Sequence, residues 1–283
     1  MRCARRRPCR VEERKVAMSG TQLLSGRTAF VTGGGGRIGK VIGATLLREG
    51  ANVAFADMTL AAAEAGRAFA AGSDVNSVAV AGNVMDEVGV DTMFEAAEKT
   101  LGLPDLLVTA HGIYPNLPLI DMMAEEWDRT FAINVRGPMF LSRWLARRWI
   151  AEGVKGGIVN ITSGAGRSAR AGSSHYASSK AAMNMVTEVL AIELGPHGIR
   201  VNAVAPGLIL DDVISEESTG LHGYVNDMIR ATPMRRTGAP SDIAEAVAFL
   251  ASERSPWTTG AVLEITGGSH CGRPHVPLTR DLK

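Results

Sequence analysis

Thr28-Ala29-Phe30-Val31-Thr32-Gly33-Gly34-Gly35-Gly36-Arg37-Ile38-Gly39 decides the fold. A short apolar, β-branched run breaks into four glycines, and an amphipathic helical pattern follows to about Glu49. Glycines at such a strand-to-helix turn let the backbone approach a pyrophosphate, and the next helix offers unpaired N–H groups and its positive dipole end. Gly34, Gly36 and Gly39 also satisfy G-x-G-x-x-G, in the strand–turn–helix setting that the motif requires. The competing reading is a tight turn that holds no ligand.

The alternation continues outward. Strands are predicted over Asn52–Ala56, Ser77–Ala81, Asp105–Thr109, Gly157–Ile161, Arg200–Val204 and Ala261–Ile265. Helices are predicted over Leu60–Ala71, Glu87–Leu101, Ala124–Glu152 (interrupted near Gly137-Pro138) and Ser174–Leu194, with another capped by Ser241 and running to about Ser252. Seven strands with helical crossovers imply a parallel sheet covered on both faces. No linker-like composition interrupts residues 27–268, so one domain over 25–268 is expected. A basic, disordered extension (1–24, with Met18 as an alternative start) would precede it and a tail (269–283) would follow. Pro206–Pro240, with a short helix near Tyr224–Arg230, is long enough to be a lid or binding loop.

Composition narrows the function. Of 283 residues, 46% are hydrophobic and 21% charged, which excludes global disorder. The net charge is +1, yet residues 1–20 hold seven basic side chains against two acidic ones. The remainder has no basic surplus, so nucleic-acid binding is not expected. Cys3, Cys9 and Cys271 lie at the ends, so no disulfide framework holds the core and a cytoplasmic location is expected. No run of 18 apolar residues predicts a membrane helix. Arg6-Arg7 lacks the apolar stretch of a secretory signal, and Glu12-Glu13 count against a transit peptide.

Asp57 ends the second strand. A carboxylate there can accept hydrogen bonds from ribose hydroxyls and would repel a 2′-phosphate, favouring NAD over NADP; alternatively it caps the next helix. Arg37 is expected beside the pyrophosphate. Tyr176 and Lys180 are spaced i, i+4, on one helix face. An ammonium near a phenol favours tyrosinate, and lowering its pKa by two or three units needs roughly 3–4 kcal/mol. Alone, such a pair is as readily an exposed face. Ser163, after the fifth strand, can steady a substrate oxygen. Asn134, polar in an apolar stretch, either bends its helix or contacts Lys180 through water. The spacing of His111, His175, His270, Cys271 and His275 matches no strong zinc signature, so no metal is expected.

Together these features resemble the short-chain dehydrogenase/reductase family, from about Gly26 to Gly268. Thr32–Gly39 matches its Thr-Gly-x-x-x-Gly-x-Gly motif, and Asn134, Ser163, Tyr176 and Lys180 its catalytic set. Val201–Gly207 and Thr259–Leu263 are further matches. The resemblance implies a Rossmann-type doubly wound sheet and hydride transfer between NAD(H) and a secondary alcohol/ketone pair. It places the cofactor against Gly33, Gly36, Arg37, Ile38, Gly39, Asp57, Asn83, Val84, Ala110, Gly112, Tyr176, Lys180, Pro206, Gly207 and Ile209. Tyr114, Ser163, Ala165, His175 and Leu208 are expected to meet the substrate. It also implies a homotetramer or homodimer. An NADPH-dependent 3-oxoacyl thioester reductase and a non-catalytic NAD sensor or scaffold are the alternatives.

Departures from the family pattern stand at Arg37 (a glycine in the family), Thr109-Ala110-His111-Gly112 (Asn-Asn-Ala-Gly), Asn83 (an aspartate) and Asp211 (a threonine). Loss of the two asparagines is expected to remove side-chain bonds that brace the sheet.

Overall fold

A computed structural model of the protein describes residues 22–70, 76–216, 218, 220 and 222–272. The expected extension, apart from residues 22–24, and the tail beyond Gly272 lie outside the described residues. Seven strands, β1 (Thr28–Thr32), β2 (Asn52–Asp57), β3 (Ser77–Ala81), β4 (Leu106–Thr109), β5 (Gly157–Ile161), β6 (Arg200–Pro206) and β7 (Val262–Ile265), form one sheet in the order β3-β2-β1-β4-β5-β6-β7. Every pairing is parallel. This is the Rossmann-type single domain expected. The order turns back between β1 and β4, which opens a crevice beyond their carboxyl ends.

The helices are α1 (Arg37–Arg48), α2 (Leu60–Phe69), α3 (Glu87–Leu101), α4 (Ala124–Phe131), α5 (Gly137–Glu152), α6 (Ser174–Leu194), α7 (Gly223–Ala231) and α8 (Pro240–Ala251). Successive strand side chains face opposite ways, so β1 feeds two cores. Val31 packs with Ile42 and Leu46 of α1 and Ile243 and Val247 of α8. Phe30 packs with Phe94 of α3 and Leu141, Leu145 and Trp149 of α5. All five β1 residues are buried. A strand covered on both faces reads as a continuous apolar run.

One local expectation holds and one is corrected. The helical break lies at Ala132–Arg136, directly before Gly137-Pro138, and is a π-turn in which Gly137 N–H donates to Ala132 O. Pro138 has no N–H for the carbonyl four residues earlier, so the ladder loosens upstream of it. Helix α8 begins at Pro240 rather than after Ser241. Proline is preset for the first helical position, and Asp242 reaches back to accept the Ala239 N–H at 2.9 Å.

Candidate active site

The glycine turn is built by steric necessity. Gly33 has φ +63°, and a Cβ there would lie 2.8 Å from the His111 backbone. A Cβ on Gly39 would come within 2.0 Å of Gly33 O, and one on Gly35 within 2.2 Å of Ala62 O in α2. The turn therefore lets strand, loop and two helices meet backbone to backbone. Gly36 is the N-cap of α1 and no side chain caps it. The N–H groups of the first turn, from Arg37 to Gly39, have no acceptor within the helix. Asp57 lies beside this cradle, with Oδ2 accepting from Gly35 N–H (3.0 Å) and Oδ1 from Met58 N–H (2.7 Å). It thus serves the turn itself and keeps lone pairs for further donors. A cradle without side chains, uncapped N–H groups and a carboxylate at the end of β2 fit a dinucleotide.

Arg37 turns toward the loop after β6. Its Nη1–H donates to Ile209 O (3.2 Å), and its Nε stands 3.3 Å from Asp211 Oδ2. The two charged departures neutralise one another across the crevice. Asn83 Oδ1 accepts from Met85 N–H (3.0 Å), leaving its amide hydrogens for other acceptors. The Val84 side chain packs near Gly137, where an added Cβ would lie 2.9 Å from its Cγ2. Ala110 N–H donates to Thr32 O at 3.2 Å.

Beyond β4 the expected loss of bracing is corrected. Thr109 Oγ1 donates to Asn160 Oδ1 (2.8 Å), and Asn160 Nδ2 donates to Thr187 Oγ1 (3.0 Å). His111 adds a second brace, with Nδ1 2.6 Å from Thr32 Oγ1 and Nε2 3.1 Å from Ile133 O. A carbonyl can only accept, so Nε2 carries the proton and Nδ1 accepts from Thr32. Burial, helped by the Lys180 charge, pushes this imidazole down to about 4.

Asn134 occupies the π-turn. Its Oδ1 accepts from Ile113 N–H (2.9 Å), and its Nδ2 donates to Ile113 O (2.9 Å) and Ser179 Oγ (3.0 Å). These bonds tie the π-turn to the segment after Gly112 and to α6. A Cβ on Gly112 would lie 3.1 Å from Asn134 Oδ1 and 3.5 Å from Lys180 Nζ. Buried Lys180 donates from Nζ to Ile161 O (2.9 Å), and burial lowers its pKa to about 8.

The Ser163 hydroxyl accepts from Ala165 N–H (3.1 Å) and stands beside the half-buried Tyr176 phenol. Burial pushes that phenol up; Ser163, and then the Arg170 charge, pull it down. The Lys180 ammonium points to the Ile161 carbonyl, one helical turn from the phenol. Leu208 and Ile209 line a cavity of about 320 Å³ between the end of β6, α7 and β7.

His175 is corrected as a substrate residue: it is fully buried, with both ring nitrogens unpartnered. Tyr114 is 73% exposed at the mouth. The contact of Arg170 with Tyr224 was not legible in the sequence, since 54 residues separate the two. Among the described residues no group of three His, Cys, Asp or Glu could hold a metal, and no helix is long and apolar enough to cross a membrane.

Known proteins bear on this geometry. A family model described as enoyl-(acyl carrier protein) reductase matches residues 36–270. The (3R)-3-hydroxyacyl-CoA dehydrogenase of Canis lupus familiaris is 34% identical over 259 residues, covering 89% of this chain and 99% of that protein. The chain belongs to the short-chain dehydrogenase/reductase family. Further members are the sorbitol dehydrogenase of Cereibacter sphaeroides (33% identical; 87% and 98% of the two chains) and the L-xylulose reductase of Mesocricetus auratus (34%; 87% and 97%). A short-chain type dehydrogenase/reductase from Mycobacterium marinum superposes with a TM-score of 0.81 at 30% identity, over 89% of this chain and 98% of that one. Family membership makes the protein an oxidoreductase of alcohol/ketone-type substrates that uses a nicotinamide cofactor. Within the family frame, Arg37 and Asp211 are one paired departure, and His111 supplies bonds that the missing asparagines do not.

Proposed function

We propose that this chain transfers hydride between NAD(H) and a small secondary alcohol/ketone pair, with Tyr176 as general acid and base. The observation that carries the reading is the Ser163 hydroxyl near enough to the Tyr176 phenol to favour its ionised form, with Lys180 one helical turn on, at the crevice edge that the glycine turn also faces. When bound, the nicotinamide supplies or accepts the hydride. Gly33, Gly36, Arg37, Ile38 and Gly39 would hold its phosphates, and Asp57 its adenosine ribose. Asn83, Val84, Ala110, Gly112, Pro206, Gly207 and Ile209 complete its walls.

In oxidation, ionised Tyr176 takes the hydroxyl proton of the alcohol, and Ser163 donates to the developing carbonyl oxygen. In reduction the phenol returns that proton. Lys180 connects the phenol's surroundings to Asn134, whose bonded position beside Gly112 suits a proton relay through water. Asp57 repels a 2′-phosphate, so NAD is the preferred coenzyme. The protein works as a cytoplasmic homotetramer or homodimer, which sedimentation tests.

Absorbance at 340 nm over a panel of alcohols and ketones, with both coenzymes, tests the reading. Turnover with NAD that Tyr176→Phe abolishes is expected. Equal use of NADP removes the role of Asp57, and unchanged turnover in Tyr176→Phe removes that of the phenol.

A further inference from the structure

The rim in front of Ser163 and Tyr176 gathers a cation that no carboxylate among the described residues pairs with. Arg170 stands in the loop before α6, and its backbone is tied in place. Ser173 Oγ donates to Arg170 O (2.8 Å), and Leu117 N–H donates to Gly172 O (2.8 Å), joining this loop to the segment that carries Tyr114. The guanidinium donates to the Tyr224 hydroxyl on α7, and its Cζ lies 5.3 Å from the Tyr224 ring centroid. Its field also reaches the Tyr176 phenol, as do those of Tyr114 and Tyr224.

Four other arginines of the crevice and its loop are paired. Arg37 pairs with Asp211, Arg167 with Glu264, Arg235 with Glu216 and Arg236 with Asp242. Arg170 pairs with no carboxylate among the described residues. It is held by an aromatic face and a hydroxyl, which orient the guanidinium without cancelling its charge. The planar fork keeps N–H groups for a carboxylate or phosphate, the geometry it matches best.

We propose that Arg170 is a substrate-binding residue that pairs with an anionic group, so that the alcohol/ketone substrate carries a carboxylate or a phosphate. The inference rests on the hydride-transfer reading and adds the substrate class to it. The anion is either a carboxylate close to the carbinol or a phosphate of a thioester carrier.

Three ketones separate the cases: 3-oxobutanoate, 3-oxobutanoyl-coenzyme A and the uncharged methyl 3-oxobutanoate. Each is followed by NADH oxidation and by calorimetric binding to the protein saturated with NADH. Arg170→Met is expected to lower the ratio of kcat/KM for an anionic ketone over the ester by about ten- to a hundredfold, through KM, with Arg170→Lys recovering part. A fall for 3-oxobutanoate alone assigns the carboxylate, and a fall for the thioester alone assigns the phosphate. Unchanged ratios for both overturn the proposal while hydride transfer stands. Anion binding that Arg170→Met removes, with no turnover of any ketone, keeps the anchor and sinks hydride transfer. Wild-type binding of both anions no tighter than that of the ester overturns the anchor whatever the turnover.

Discussion

His111 Nδ1 lies 2.6 Å from the Thr32 hydroxyl and ties the last residue of β1 to the loop after β4. The other ring nitrogen holds the Ile133 carbonyl in the π-turn. One neutral imidazole thus joins the glycine turn to the segment that positions Asn134. Its pKa falls from 6.5 to about 4 on folding, so the unfolded chain binds this proton first as pH drops. The sign follows: the contribution is full above pH 6.5 and is lost progressively from there down to about 4. Its size is roughly 2 kcal/mol, less than the whole shift would give because the residue is only half-buried. Chemical denaturation across that interval should show a decline in wild type that is shallower in His111→Ala. Parallel declines would show that the imidazole is not held neutral.

The phenol offers a spectroscopic test. In the chain alone burial holds Tyr176 above its ordinary value of 10, against the pull of Ser163 and Arg170. Activation near neutral pH therefore requires positive charge added with the oxidised coenzyme. Phenolate absorbance, taken as the difference between wild type and Tyr176→Phe, should titrate above pH 10 without coenzyme and shift downward with NAD. Ser163→Ala should raise the uncomplexed value further. An uncomplexed phenol that titrates near 7 would mean that Lys180 does the work unaided.

Much of the scaffold was legible because buried parallel strands write themselves as short apolar runs. Thr28–Thr32, Ser77–Ala81 and Gly157–Ile161 coincide residue for residue with β1, β3 and β5. Tyr176 and Lys180 were legible because helical spacing is local. The break beside Gly137-Pro138 was legible because a proline's missing donor acts on the turn before it. The His111 brace and the Arg37 clasp were invisible for another reason. Their partners lie 79 and 172 residues away, and periodicity carries no information about which distant side chains meet. His175 misled because adjacency to Tyr176 in the chain turns a helical side chain about 100° to another face, here an enclosed one.

In the proposed function Asp57 carries the coenzyme preference. Its carboxylate accepts from Gly35 and Met58 N–H groups, so removing it both frees a ribose-binding position and loosens the turn. Asp57→Asn keeps an acceptor oxygen for the turn and deletes the charge. Relative kcat/KM for NADP over NAD should rise about tenfold or more, as expected when a like-charge repulsion of over 1 kcal/mol is lifted. A ratio that stays put would return Asp57 to a purely structural role.

Arg37 and Asp211 form an exposed pair, with side chains 46% and 63% accessible. Solvent screening limits such a pair to roughly 0.2–1 kcal/mol, so its effect is read best as a coupling. The guanidinium also holds the Ile209 carbonyl, which makes the pair a clasp between the start of α1 and the loop after β6. NADH dissociation constants for Arg37→Gln, Asp211→Asn and the double variant complete a thermodynamic cycle. Asp211→Asn alone should tighten NADH, because it leaves Arg37 uncompensated beside the phosphates, and this gain should vanish when Arg37 is also Gln. The coupling should shrink as ionic strength rises. Additive effects at low salt would mean that the two side chains act on the coenzyme separately.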